Sequence, residues 1–159
     1  MRRRLASATV ATVALMLAQV AQAQACSDEP GRNEIASSAR LVEFETLMMT
    51  VSLRCTRAGI ELRSHYENMV ANNAARFGGA QAAVERYLGA GHGAGYDRYV
   101  TRVANRYGGG ATSQEQCSMF RAVAQTLARK DSDPRALVAV AYAMIAEPTL
   151  RQDICNLGN

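Results

Sequence analysis

An all-α fold, a small disulfide-stapled bundle of five to six helices, is what this 159-residue chain predicts, on three observations. No stretch alternates apolar and polar residues over strand length with β-branched enrichment. Apolar residues recur instead at three-to-four spacing, broken by glycines. Four cysteines, Cys26, Cys55, Cys117 and Cys155, form an even set available for cross-linking.

The first helix is predicted over residues 33–57. Leu41, Phe44, Met48, Val51 and Cys55 make its apolar stripe, and Gly59 supplies the stop. The second starts at Ser64, where Glu67 three residues on completes a capping box. Tyr66, Met69, Val70 and Phe77 face inward, and Gly78-Gly79 is expected to end it. A short third helix follows over 80–88, burying Val84, Tyr87 and Leu88. After Gly89, Gly91, Gly93 and Gly95 comes a fourth over 96–107, with Tyr96, Val100, Val103 and Tyr107 on one stripe.

Gly108-Gly109-Gly110 closes that helix. The fifth begins near Ser113, with Gln116 as a second capping box and Cys117, Phe120, Ala124 and Leu127 inward. Asp133 caps the sixth, with Pro134 at its first position and Pro148 beyond its end. Leu137, Val138, Val140, Ala141, Met144 and Ile145 make it apolar over most of its circumference. That composition predicts the most buried element of the bundle.

The N-terminus reads as an address. Arg2, Arg3 and Arg4 precede an apolar stretch over 8–18, then overlapping A-x-A sites at Ala21-Gln22-Ala23 and Ala23-Gln24-Ala25. The stretch is short of the roughly 20 apolar residues that a membrane span needs. Residues 1–25 are therefore read as a secretory signal peptide, and 26–159 as a single helical domain without a transmembrane span. Three of the 18 basic residues are Arg2, Arg3 and Arg4, which leaves 15 basic against 14 acidic, a net charge near +1. So even a balance gives no drive toward nucleic acid or anionic membranes in general.

All four cysteines lie after the address, and an exported chain with an even count implies two disulfides. Three pairings are possible. Cys55 and Cys117 sit on inward stripes, which favours Cys55–Cys117 and leaves Cys26–Cys155 near the chain ends. Cross-links matter here because three Phe, no Trp and much Ala make a modest core.

Chemistry-bearing residues are few. His65 and His92 lack the three or four partners of a metal site, and no cofactor or metal is expected. The glycine-rich segment around His92 precedes a helix, yet no strand leads into it and no Lys follows, so it is not a P-loop. The methionines (Met48, Met49, Met69, Met119, Met144) lack copper-binding spacing and read as packing. No nucleophile stands beside a base. A lysozyme-like reaction would need two carboxyls, and Glu67 and Glu85 are the acids nearest to apolar residues and a loop.

The most organised polar feature is Arg98, Arg102 and Arg106, which recur every four residues and share one helix face. Such a row can grip a phosphate-rich or carboxylate-rich partner. The plainer alternative is a solvated face pairing with Glu43, Glu45 or Glu85. Asp97 is a helix-start charge, and Asn105 is expected to tie down the glycine turn.

The segment 47–55 (Leu-Met-Met-Thr-Val-Ser-Leu-Arg-Cys), Tyr96-Asp97-Arg98-Tyr99, Ala104-Asn105-Arg106-Tyr107-Gly108, Cys117 and Cys155 carry a resemblance. Over residues 41–155 the chain resembles a family of small exported four-cysteine helical proteins of Gram-negative bacteria. Members often bear the name S-adenosyl-L-homocysteine hydrolase. That enzyme requires a dinucleotide-binding α/β fold, whereas this chain has no G-x-G-x-x-G after a strand and no acidic ribose partner. The resemblance implies a fold, and brings no activity or catalytic residue with it.

The expectation is thus an exported periplasmic or envelope protein that binds or has a structural role and is not an enzyme. Its partner would be an envelope component or a protein, met through Arg98, Arg102 and Arg106 with His92 in the adjoining loop. A small cell-wall hydrolase is the alternative.

Overall fold

A computed structural model describes residues 30–89, 94–129 and 133–150. Contacts divide the chain into Met1–Glu34 and Ile35–Asn159. Of the first unit only 30–34 is described, as the opening of a helix. The described residues are all helical apart from their connections: α1 (Pro30–Arg57), α2 (Arg63–Asn72), α3 (Ala74–Tyr87), α4 (Ala94–Gly108), α5 (Gln114–Leu127) and α6 (Pro134–Met144).

At 28 residues, α1 is about 42 Å long and serves two apolar clusters of the second unit in turn. Its N-terminal half gives Ile35, Ala39 and Val42 to one, with Ala80 and Val84 of α3, Tyr99 and Val103 of α4, and Leu150. Its C-terminal half gives Phe44, Met48, Val51 and Cys55 to the other. There they meet Leu62, Met69, Phe77 and side chains of α5 and α6. Two hydroxyls in its buried stretch are satisfied through the helix itself. Thr46 Oγ1 donates to the Val42 carbonyl and Thr50 Oγ1 to that of Leu47, both at 2.9 Å.

The α1 terminus behaves as its glycine suggests. Gly59 adopts φ +77°, which lets the Ile60 N–H reach the Cys55 carbonyl at 2.9 Å and the Gly59 N–H reach that of Thr56 at 3.0 Å. These are the two bonds of a Schellman ending, and Ile60 packs against the core as such endings favour. Cys55 is thereby fixed one turn from the helix end. It is bonded to Cys117 of α5, with Cα atoms 5.8 Å apart and both residues fully buried. The expected Cys26–Cys155 bridge lies outside the described residues.

Two local start motifs form as predicted. Ser113 Oγ accepts from the Gln116 N–H while Gln116 Oε1 accepts from the Ser113 N–H, the reciprocal capping box of α5. The Asp133 carboxylate accepts from the Arg135 N–H at 2.8 Å, with Pro134 in the first turn of α6.

Tyr87, expected inside, is exposed, and three further expectations need correction. Ser64 does not cap α2, which begins one residue earlier; the Glu61 carboxylate takes the Ser64 N–H at 2.8 Å, and Glu67 pairs with Arg63. Gly78-Gly79 does not end a helix but lies inside α3. The break comes at Asn73, whose buried amide donates to the Met69 and Leu127 carbonyls at 2.9 Å each. A tertiary bond to the end of α5 thus decides where α2 stops, and two solvent-facing glycines are tolerated within a helix packed through Phe77, Ala80 and Val84. Finally, α6 is not the most buried element. Leu137 and Ala141 face inward, while Val138 and Tyr142 are exposed.

Asn73→Ala removes one donor from two buried carbonyls and is expected to lower stability by about 2–3 kcal/mol. Urea unfolding followed by circular dichroism measures it. A loss under about 0.5 kcal/mol, the level of an ordinary surface change, would show that Asn73 does not set the break.

Candidate functional site

The site begins with the strong two-sidedness of α4. Tyr99 and Val103 are fully buried, and Tyr96, Val100 and Tyr107 pack partly against the core. The opposite face carries Arg98, Arg102 and Arg106, all exposed, with Asp97, Thr101 and Asn105 beside them. Four-residue spacing raises each guanidinium about 6 Å above the last along one side of the helix. Asp97 in the first turn and Arg106 in the last both suit the helix dipole.

Arg106 is oriented by its surroundings. Its Nη1 donates to Thr149 Oγ1 at 3.0 Å, and its guanidinium carbon lies 5.5 Å from the centre of the Tyr107 ring. The 108–110 turn that ends α4 is held by Arg54 of α1, whose Nη1 donates to the Tyr107 carbonyl at 2.9 Å and to that of Gly109. Arg54 therefore does the work expected of Asn105, which is exposed.

Thr149 connects this outer row to a buried charge. Its N–H donates to Glu43 Oε1. Glu43, fully buried on α1, also accepts from the Tyr99 hydroxyl at 3.1 Å and from the Tyr107 hydroxyl at 3.2 Å. So Glu43 faces inward and is not an acid of the solvent face. Burial first, then the Glu43 charge, raises both tyrosines: Tyr107 is pushed up to about 12, and Tyr99 further.

Three residues before Glu43, buried Arg40 handles the other end of the same segment. Its Nε donates to the Ile145 carbonyl at 2.7 Å and its Nη2 to that of Ala146 at 3.1 Å. The guanidinium carbon sits 3.9 Å from the centre of the Tyr142 ring, whose hydroxyl is 2.7 Å from Ser37 Oγ. One cation and one anion of α1 thus clasp residues 145–149. Arg40 did not stand out in the sequence, and Glu43 did so only as an acid of a solvated face, since both lie within an ordinary amphipathic helix.

The acids considered for hydrolysis are elsewhere. Glu67 is exposed and paired with Arg63 at 2.8 Å, and exposed Glu85 accepts from Gln81 at 2.8 Å. Glu45 has a more unusual setting: half-buried on α1, its carboxyl is raised above the ordinary carboxylate range by desolvation. Tyr66 and Tyr96 are each pushed up to about 12, by burial first and by the Glu45 charge second. Sequence reasoning placed Glu45 only on a solvated face, because half-burial on α1 depends on which helices pack beside it.

His65 Nε2 lies 3.2 Å from Gln125 Nε2, and His92 lies outside the described residues. Among the described residues no group of three or more His, Cys, Asp or Glu side chains is gathered to hold a metal, and no helix is long and apolar enough to cross a membrane. Met48 and Met69 are core residues as expected, whereas Met49 and Met119 are exposed. Comparison of the chain with protein-family models, with curated proteins and with solved structures finds no match.

Proposed function

We propose that this chain is an exported, non-catalytic envelope protein that binds an anionic envelope component through the outer face of α4. The observation that carries the reading is the exposed, single-sided row of Arg98, Arg102 and Arg106. Guanidinium groups bind phosphate and carboxylate oxygens in pairs, and a rigid helix holds three of them in line at low entropic cost. A buried Cys55–Cys117 disulfide supports export, because such bonds persist in oxidising compartments. Each exposed ion pair contributes only about 0.2–1 kcal/mol, so affinity comes from the three acting together.

The test is co-sedimentation of the purified protein with envelope fragments. Arg98→Gln/Arg102→Gln leaves the Arg106–Thr149 bond in place and is expected to weaken retention roughly 5- to 10-fold. Adding Arg106→Gln should weaken it further, and raised salt should mimic the loss. Retention unchanged in the triple variant overturns the reading.

One observation favours a second reading, a cell-wall hydrolase: Glu45 is a half-buried carboxyl with raised proton affinity, as a general acid requires. The same incubation distinguishes the two. Soluble muropeptides released by the wild type and absent with Glu45→Gln would establish catalysis.

A further inference from the structure

The solvent side of α6 has the composition of an interface. Val138, Ala139, Tyr142 and Ala143 are exposed along one stripe, and Arg135, Val138, Ala139 and Tyr142 line a shallow apolar depression. Tyr142 is already ordered there, by the Arg40 guanidinium 3.9 Å from its ring centre and by Ser37 at its hydroxyl. An aromatic side chain fixed before association gives up little rotamer freedom, which is the property of an interface anchor.

The charges at the two ends of the stripe identify the occupant. Exposed Arg135 stands in the first turn of α6, and exposed Glu147 follows its last turn. Asp133, another charge at the N-terminal end among the described residues, is turned back onto the helix as its cap. We infer that this face pairs with the same face of a second copy, the two α6 helices running antiparallel. A two-fold axis through the outer stripe, between Ala139 and Ala143, brings Arg135 of each copy toward the Glu147 end of the other. Ala139 then meets Ala143, where small side chains let the helices approach closely. Antiparallel helices also place unlike dipole ends together, whereas a parallel pair would oppose Arg135 with Arg135.

At 11 residues α6 is about 16 Å long, so a single α6 pair makes a small contact beside the roughly 1,000 Å² of a specific interface. The dimer is therefore weak and concentration-dependent. Sedimentation equilibrium of the protein as its host processes it is expected to show the average mass rising toward twofold over about two decades of concentration. Arg135→Glu alone and Glu147→Arg alone should each abolish the rise, because each sets like charges at both ends. An equimolar mixture of these two variants should recover it as a heterodimer. A wild type that stays monomeric throughout, or single variants that associate as the wild type does, overturns the proposal.

Discussion

Glu43→Ala is expected to destabilise the fold by about 3–5 kcal/mol, a large part of the roughly 5–15 kcal/mol that holds a domain of this size. The carboxylate is the shared acceptor for the Tyr99 hydroxyl, the Tyr107 hydroxyl and the Thr149 N–H. Truncation leaves three donors facing a void, and an unmade bond in a buried place costs more than the bond itself contributes. Tyr99→Phe, which removes one donor and leaves the acceptor two, should cost about 1 kcal/mol. Glu43→Gln should fall between them, since its amide keeps one acceptor oxygen and turns a donor toward the others. Urea midpoints of the three variants give the ordering. A Glu43→Ala protein within about 1 kcal/mol of the wild type would show that the cluster is not a keystone.

Removing the buried disulfide with Cys55→Ala/Cys117→Ala should have an effect of comparable size. The bonded residues are 62 apart in sequence, and a loop of that length corresponds to about 4 kcal/mol in the chain-entropy description. For a domain of this size the loss corresponds to a fall in Tm of order 15 °C. The double substitution avoids a leftover thiol, and calorimetry reads the shift. A fall of only a few degrees would mean that the helices hold together without the cross-link. The bond joins α1 to α5 at the cluster that also takes in α2 and α6, so its loss loosens the larger apolar centre.

Local chemistry was legible in the sequence for the most part, and long-range chemistry only where a cysteine marked it. The Ser113–Gln116 box, the Asp133-Pro134 start and the Gly59 stop each depend on atoms within five residues of one another, and each formed as expected. The Cys55–Cys117 pairing was legible because both cysteines repeat with their helix stripes. The Ser64 cap was lost locally, to Glu61 three residues before it, and the other failures were decided across the chain. Asn73 ends α2 through a carbonyl 54 residues away, and no helix-propensity argument reaches that far. The apolar circumference of α6 pointed to deep burial, but depth follows from how many neighbours surround an axis, and α1 occupies that position. In the candidate site, the exposed arginine row was visible as a four-residue period. The fixing of Arg106 by Thr149 was not, because the partner is 43 residues away, beyond the end of α6.

Three helices share a way of finishing. The last carbonyls of α4 receive Arg54, those at the end of α5 receive Asn72 and Asn73, and those just beyond α6 receive Arg40. Helix ends ordinarily fray first, opening and closing with little reference to the rest of a protein. Here an end can unwind only by letting go of a side chain rooted in another helix. Small-scale breathing at these ends is thereby tied to contacts made by other parts of the bundle.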